Sequence, residues 1–374
     1  MSTPDPEASP PTFPPVIEVR DLDWELVRAA VDAPAIRARM PAAVEKMEAL
    51  LARADGPGMM FDSDRASADD RVIRVAAHPD AGPLWIIGDL HGDLVALEAS
   101  LTLIHRDVTA DSEPPRIIFL GDFVDDEGCS LEVLVRVFEL ITAAPERICV
   151  IAGNHDEALA HDGTRFTSSV SPSDFADFLN AHADDAHIQR VGKAAMLLTA
   201  HAPRALFFPD GLLVAHGGFP LADLHESLEA TRDWNAPGCL SDFVWARAHP
   251  KARRKMPNRF SRGSQFGYED FAAFCELAAR LERPVTHFVR GHDHVEERYA
   301  IYPAYRTHPV LTTVALSRRL PRETSGSYER APTLVRVGGG ALPQVHQLYP
   351  PAALINEVFL LPAAAAAIDE DTSG

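Results

Sequence analysis

Five times along the chain a short apolar run stops at or near a glycine, with an aspartate, histidine or asparagine beside it. The run 84–87 leads into Gly88-Asp89-Leu90-His91-Gly92-Asp93. The run 117–120 leads into Gly121-Asp122-Phe123-Val124-Asp125-Asp126-Glu127-Gly128, and 148–151 into Ala152-Gly153-Asn154-His155-Asp156. Further on, 212–215 meets His216-Gly217-Gly218, and 285–289 meets Arg290-Gly291-His292-Asp293-His294. Each run is too short for a helix and rich in β-formers, so each reads as a buried strand. Between the first three, apolar residues fall at helical spacing: Leu94, Leu97, Leu101 and Ile104, then Leu134, Val137, Phe138 and Ile141. That βαβαβ order requires parallel strands with helices packed on the sheet. Ligands of such sheets bind beyond the carboxyl ends of the strands, where all these polar residues lie.

The residue types at those ends suit metal ions. Asp89, His91, Asp122, Asn154, His216 and His292 offer a mixed oxygen and nitrogen set. Such donors favour manganese, iron or zinc over calcium or magnesium, which take mostly oxygen. Six are too many for one catalytic ion that keeps an open position. Two divalent ions sharing one carboxylate accommodate them, an arrangement suited to in-line phosphoryl displacement.

Composition narrows the partners. The 374 residues carry 35 basic and 54 acidic side chains, a net charge of −19. That balance argues against duplex nucleic acid and against an anionic membrane, both of which reward basic surfaces. A phosphorylated substrate stays open, because bound cations supply local positive charge. Cys129, Cys149, Cys239 and Cys275 are widely spaced and form no zinc or redox motif, as expected of buried thiols in a reducing cytoplasm. No basic start followed by an apolar run marks a leader. Residues 1–20 are expected to be a disordered tail, 21–83 a helical extension, 84–345 the catalytic domain, and 346–374 a loose C-terminal tail. Within the domain, 158–206 reads as a helical, cap-like insertion, with Ser171 as helix cap and Pro172 at the first helical position.

The blocks GDLHGD, GDFVDDEG, GNHD, AHGG and VRGHDH resemble the signature blocks of the calcineurin-like metallophosphoesterases. Within that superfamily the chain most resembles the phosphoprotein phosphatases of the serine/threonine type. Ser261-Arg262-Gly263-Ser264-Gln265-Phe266-Gly267 is similar to that family's RG…FG block, and Ser241-Asp242-Phe243-Val244-Trp245 to its SDLxW stretch. The resemblance covers roughly 84–337. It implies an α/β fold, a β-sandwich of mixed sheets flanked by helices, with the two-metal site at strand C-terminal ends. It also implies that Asp89, His91 and a bridging Asp122 hold one ion, and that Asn154, His216 and His292 complete the second. A hydroxide bridging both would attack phosphorus directly. His155 would protonate the leaving group, Asp125 would orient that imidazole, and Arg262 and Asn154 would contact the phosphate. The implied substrate is a phosphorylated protein or peptide.

The chain departs from that pattern at one informative place. Where the family's second block has an arginine that contacts phosphate, this chain has Asp126, followed by an extra acid, Glu127. Arg165, Arg290 and the basic run 251–254 are the candidates to replace it. His294 is extra and reads as a supporting or surface group. The segment 317–331 stands where the family has a late active-site block, and Tyr328 within it has no assignable role. Two other readings stay open: a small-molecule phosphatase or dinucleoside-polyphosphate hydrolase on the same fold, and a silent metal-binding module.

Overall fold

The computed structural model describes residues 14–76, 82–108, 113–253, 263–338 and 342–360. Its centre is a pair of six-stranded mixed sheets. In the first, Leu84–Ile87, Arg116–Phe119 and Ile148–Val150 run parallel, as the βαβαβ pattern requires. Thr333–Val337 adds antiparallel to Leu84–Ile87, and Gln344–Leu348 adds antiparallel to Thr333–Val337. The second sheet places His287–Arg290 between Leu212–Ala215 and Val310–Thr313, all parallel. Ala205–Phe207, Val72–Arg74 and Tyr299–Ile301 complete it.

Side-chain alternation along each strand builds four layers. Leu84 and Ile86 face the second sheet and meet Val214, Val289 and Leu311 in a shared core. Trp85 and Ile87 face the other way, into helices Leu94–Arg106 and Ser130–Ala143. On the second sheet Leu213 and Phe288 point outward against Phe271 and Phe274 of helix Tyr268–Arg280. Burying both faces of a sheet explains why its strands are apolar throughout instead of alternating with polar residues. The mixed α/β sandwich expected from the sequence is the fold observed.

Three boundaries differ from expectation. Val16–Val19, placed in a disordered tail, is an edge strand paired parallel to Gln344–Leu348. The C-terminal segment read as loose supplies that partner strand and the helix Ala352–Phe359, whose Leu354 and Ile355 are buried. An edge strand and a short helix carry little periodic signal of their own, and their order comes from docking. Helices Asp174–Ala181 and Ala186–His201, expected as a cap, pack into the helix layer of the first sheet with Ala33–Leu51. Arg190 ties that layer together through Glu48 at 2.6 Å. The first of these helices begins at Asp174 after Ser173, two residues later than the Ser171-Pro172 reading. Residues 1–13 and 361–374 lie outside the described part. Among the described residues no helix is long and apolar enough to cross a membrane.

Candidate active site

All five strand ends open onto one place, where their backbones are strained. Six of the ten non-glycine residues with positive φ among the described residues belong to these turns: His91 (38°), Asp122 (51°), Asp125 (72°), Asp126 (64°), Glu127 (60°) and His292 (68°). A left-handed residue with a Cβ costs about 1–2 kcal/mol, and such strain persists where surrounding structure over-determines it. Two glycines let the turns close on one another. A Cβ on Gly291 would lie 2.1 Å from Asp89 Oδ1, and one on Gly153 would lie 2.2 Å from Asp122 Oδ1.

The polar atoms at the centre are arranged as lone pairs facing lone pairs. His216 donates from Nδ1 to the Leu120 carbonyl at 2.8 Å, which turns Nε2 toward the centre. That Nε2 faces Asn154 Oδ1 at 3.1 Å, His292 Nδ1 at 3.2 Å and Asp122 Oδ2 at 3.3 Å. His91 likewise gives Nδ1 to the Val124 carbonyl at 2.9 Å and turns Nε2 toward Asp122 Oδ2 at 3.5 Å. Acceptors converging in a buried pocket repel unless positive charge lies between them. The titration of His216 registers that demand: burial opposes its charge, yet Asp122 and Asp89 push it up to about 9. Buried His292 Nε2 has no hydrogen-bond partner among the described residues. Asp122, His216 and His292 can therefore hold one cation, and Asp89 and His91 with Asp122 nearby a second. Carbonyl partners on the second nitrogen of His216 and of His91 fix ring orientation and basicity.

Next to this pocket stands an imidazole–carboxylate pair. His155 Nδ1 lies 2.7 Å from Asp125 Oδ2. Burial opposes the imidazolium, but Asp122 and Asp125 outweigh it and hold the His155 pKa above the ordinary value. The His155 amide donates to Asp122 Oδ1 at 2.8 Å, so the pair is tied to the pocket. Two carboxylates hold the turns from behind. Asp156 accepts the amides of Asp122 and Phe123 at 2.7 and 3.0 Å. Asp174 accepts those of Asp126 and Glu127 at 2.9 and 3.0 Å, while the Phe175 amide donates to Asp125 Oδ1 at 3.0 Å. The helix expected to shape access thus sets the backbone of the acidic turn instead.

The structure brings together Asp89, His91, Asp122, Asn154, His216 and His292, with His155 and Asp125 beside them. Arg262 lies outside the described residues. Of the candidates for the missing arginine, Arg290 is buried and committed to the carbonyls of Gly217 and Ala246 and to Asp293 and Thr312. Arg165 is solvent-exposed on a hairpin beside Asp162. Arg253 pairs with Glu269 at 2.8 Å, also in solvent, and Arg254 is outside the described residues. Sequence reasoning missed two groups that do reach the centre. His294, read as supporting or surface, places Nε2 3.0 Å from Asp89 Oδ2 and groups with His91 as a further donor. Its spacing from His292 repeats that of His91 from Asp89, which was the available signal. Arg322 lies within the polar insertion 317–331 and reaches Asp126 Oδ2 at 2.9 Å; no pattern in the sequence marks it. The four thiols take no part: burial pushes those of Cys129, Cys239 and Cys275 up to about 12 and that of Cys149 up as well.

Comparison with known proteins agrees with this geometry. The family model for the calcineurin-like phosphoesterases matches residues 82–296, and the chain belongs to that family. Among curated relatives, the Candida albicans serine/threonine-protein phosphatase PP2A-like PPG1 is 22% identical over 226 residues, covering 59% of this chain and 49% of that one. Human serine/threonine-protein phosphatase 5 is 23% identical over 224 residues, 58% of this chain and 40% of that protein. The chain thus spans half or less of the length of both relatives. In fold it is similar to a Saccharomyces cerevisiae protein serine/threonine phosphatase with similarity to human PP5. The TM-score is 0.52 at 15% identity, over 84% of this chain and 89% of the other.

Proposed function

We propose that this protein is a metal-dependent phosphomonoesterase acting on phosphoserine or phosphothreonine in proteins. The observation that carries the proposal is the convergence of carboxylate, amide and imidazole ligand atoms around Asp122, with the His155–Asp125 pair beside it. Asp89, His91 and Asp122 would hold one divalent ion, and Asp122, Asn154, His216 and His292 the other, with His294 within reach of the first. Two such ions, manganese being the best match to the donors, supply Lewis acidity and make hydroxide available near neutral pH. The protein's own part is proton placement and rigidity. Asp125 accepts the Nδ1–H hydrogen bond of His155 and stabilises its imidazolium, which leaves the Nε2 proton to pass to the departing serine or threonine oxygen. Asp156 and Asp174 keep the ligand turn and the acid turn in register, so the acid and the reacting phosphorus meet without rearrangement. Support for the protein-phosphatase reading comes from the names of the relatives and from the similarity of 241–245 and 261–267 to that family's blocks.

The test is a substrate panel on manganese-supplemented protein: a phosphothreonine peptide, nitrophenyl phosphate, bis-nitrophenyl phosphate and diadenosine tetraphosphate. Turnover of the phosphopeptide and of nitrophenyl phosphate, with little of the diester bis-nitrophenyl phosphate or of the anhydride diadenosine tetraphosphate, is the expected result. Hydrolysis of diadenosine tetraphosphate without phosphopeptide turnover would replace the reading by the small-molecule one, for which the acid at position 126 is the motive.

A further inference from the structure

We infer that Arg322, carried by the 317–331 insertion, is a phosphate-gripping guanidinium of this centre, and that buried Asp126 serves to hold it there. The inference rests on the phosphoesterase reading and names a substrate-binding residue for it. Asp126 is fully buried against the centre, with Oδ2 3.2 Å from His91 Nδ1. An uncompensated carboxylate there would repel an incoming phosphate dianion. Arg322 answers that charge: its Nη2 lies 2.9 Å from Asp126 Oδ2 and 3.4 Å from His91 Nε2, the nitrogen that faces Asp122. The side chain is 37% exposed, against none for Asp126. Nε and Nη1 have no partner among the described residues, so one edge of the fork is held by protein and another is open to a ligand. A planar fork with free donors is the geometry that binds phosphate oxygens in pairs.

The insertion is built to present this residue. Its root is fixed to the first strand turn, where the Ser317 amide donates to Asp93 Oδ2 at 2.7 Å. Buried Arg318 donates to the carbonyls of His91 and Asp126 at 3.1 and 2.8 Å, so it anchors the same two residues that Arg322 touches. Beyond Arg322, Glu323 accepts the Leu320 amide at 2.7 Å and pairs with buried Arg298 at 2.8 Å. The Arg319 amide closes the loop on the Tyr328 carbonyl at 2.6 Å. Arg322 is thus flanked by pinned residues and held through Nη2, which lowers the ordering cost of binding a ligand at its other nitrogens. Among the described residues the other arginines near the centre are committed: Arg290 to carbonyls and Asp293, Arg247 to Asp293 and the His292 carbonyl, Arg318 to backbone.

The experiment uses full-length, manganese-loaded protein and two readouts: nitrophenyl phosphate kinetics and calorimetric binding of inorganic phosphate. Arg322→Ala is expected to raise KM and the orthophosphate Kd by about 10- to 100-fold, the span of a charge-assisted hydrogen-bonded contact, with metal content unchanged. Arg322→Lys should recover only part of this, because a point charge lacks the fork. Asp126→Asn separates holding from simple repulsion. With Arg322 present it should weaken orthophosphate binding; in the Arg322→Ala background it should tighten it. An Arg322→Ala protein whose orthophosphate Kd stays within about 2-fold of the parent overturns the assignment while leaving the phosphoesterase reading intact. A parent protein that neither hydrolyses nitrophenyl phosphate nor binds orthophosphate overturns both.

Discussion

The bed of strand-end residues and the rim above it are made in opposite ways. In the bed, each donor follows directly from a β-strand, is buried, and has its backbone or second nitrogen fixed by a neighbouring strand turn: His216 on Leu120, His91 on Val124, His292 on Asp89. In the rim, Arg322 arrives on an insertion between strands, is partly in solvent, and is fixed by one ion pair and by the anchoring of its neighbours. The bed sets what reaction is available, since its donors and their orientation fix the charge at the centre. The rim decides which phosphate is gripped and how firmly. Loops tolerate insertion and substitution that a strand end packed on both faces does not.

This contrast can be broken by substitution. The largest effect should come from the bed. Asp122→Asn removes the carboxylate that faces both His91 and His216 and should lower kcat on nitrophenyl phosphate on the order of 10⁴-fold. The same protein should retain less manganese when the metal is counted by elemental analysis. His155→Asn is next, with a fall in kcat of at least about 10²-fold while metal content is kept. A His155 variant that turned over normally would remove it from the role of acid. Asp174→Ala tests a residue that touches neither pocket nor substrate. Freed of two backbone acceptor contacts, the left-handed turn 125–127 should relax, and kcat should fall about 10-fold with metal content unchanged. Equal kcat in this variant would mean that the turn holds itself.

The smallest expected effect lies away from both regions and concerns stability alone. Burial opposes ionisation of Asp62, but His201 and Arg65 outweigh it and hold its pKa below the ordinary carboxylate value. A depressed native pKa stabilises the fold above the unfolded-state value of about 3.9, and that contribution is lost as pH falls through the native pKa. Asp62→Asn should therefore cost about 1–3 kcal/mol near pH 7. The difference in melting temperature should shrink toward nothing as the buffer is taken below about pH 4. Activity per folded molecule should not change.

The same contrast explains what could be read from the chain. Short apolar runs ending in glycine and a donor are local patterns, so the parallel strands and the convergence of the six strand-end residues were legible, whereas the His155–Asp125 pair came from the resemblance to the family's blocks. Val16–Val19 was not, because an edge strand takes its order from a partner more than 320 residues away, at Val345–Leu348. A helix start was legible at Ser171-Pro172, two residues early, though not the clamp that Asp174 and Phe175 place on 125–127, which depends on how the helix layer docks. Arg322 left no trace at all, since a lone arginine in a polar insertion has no period or spacing to mark it. His294 falls between the two: its spacing was visible, and its direction came from the fold.

The central claim is that the strand ends form a two-cation centre. Calorimetric titration of manganese into metal-stripped protein tests it directly. The account predicts two ions bound per chain, with Asp122→Asn impairing both because that carboxylate faces both donor groups. Binding of one ion or none by the parent protein, or two ions retained unchanged by Asp122→Asn, would contradict it.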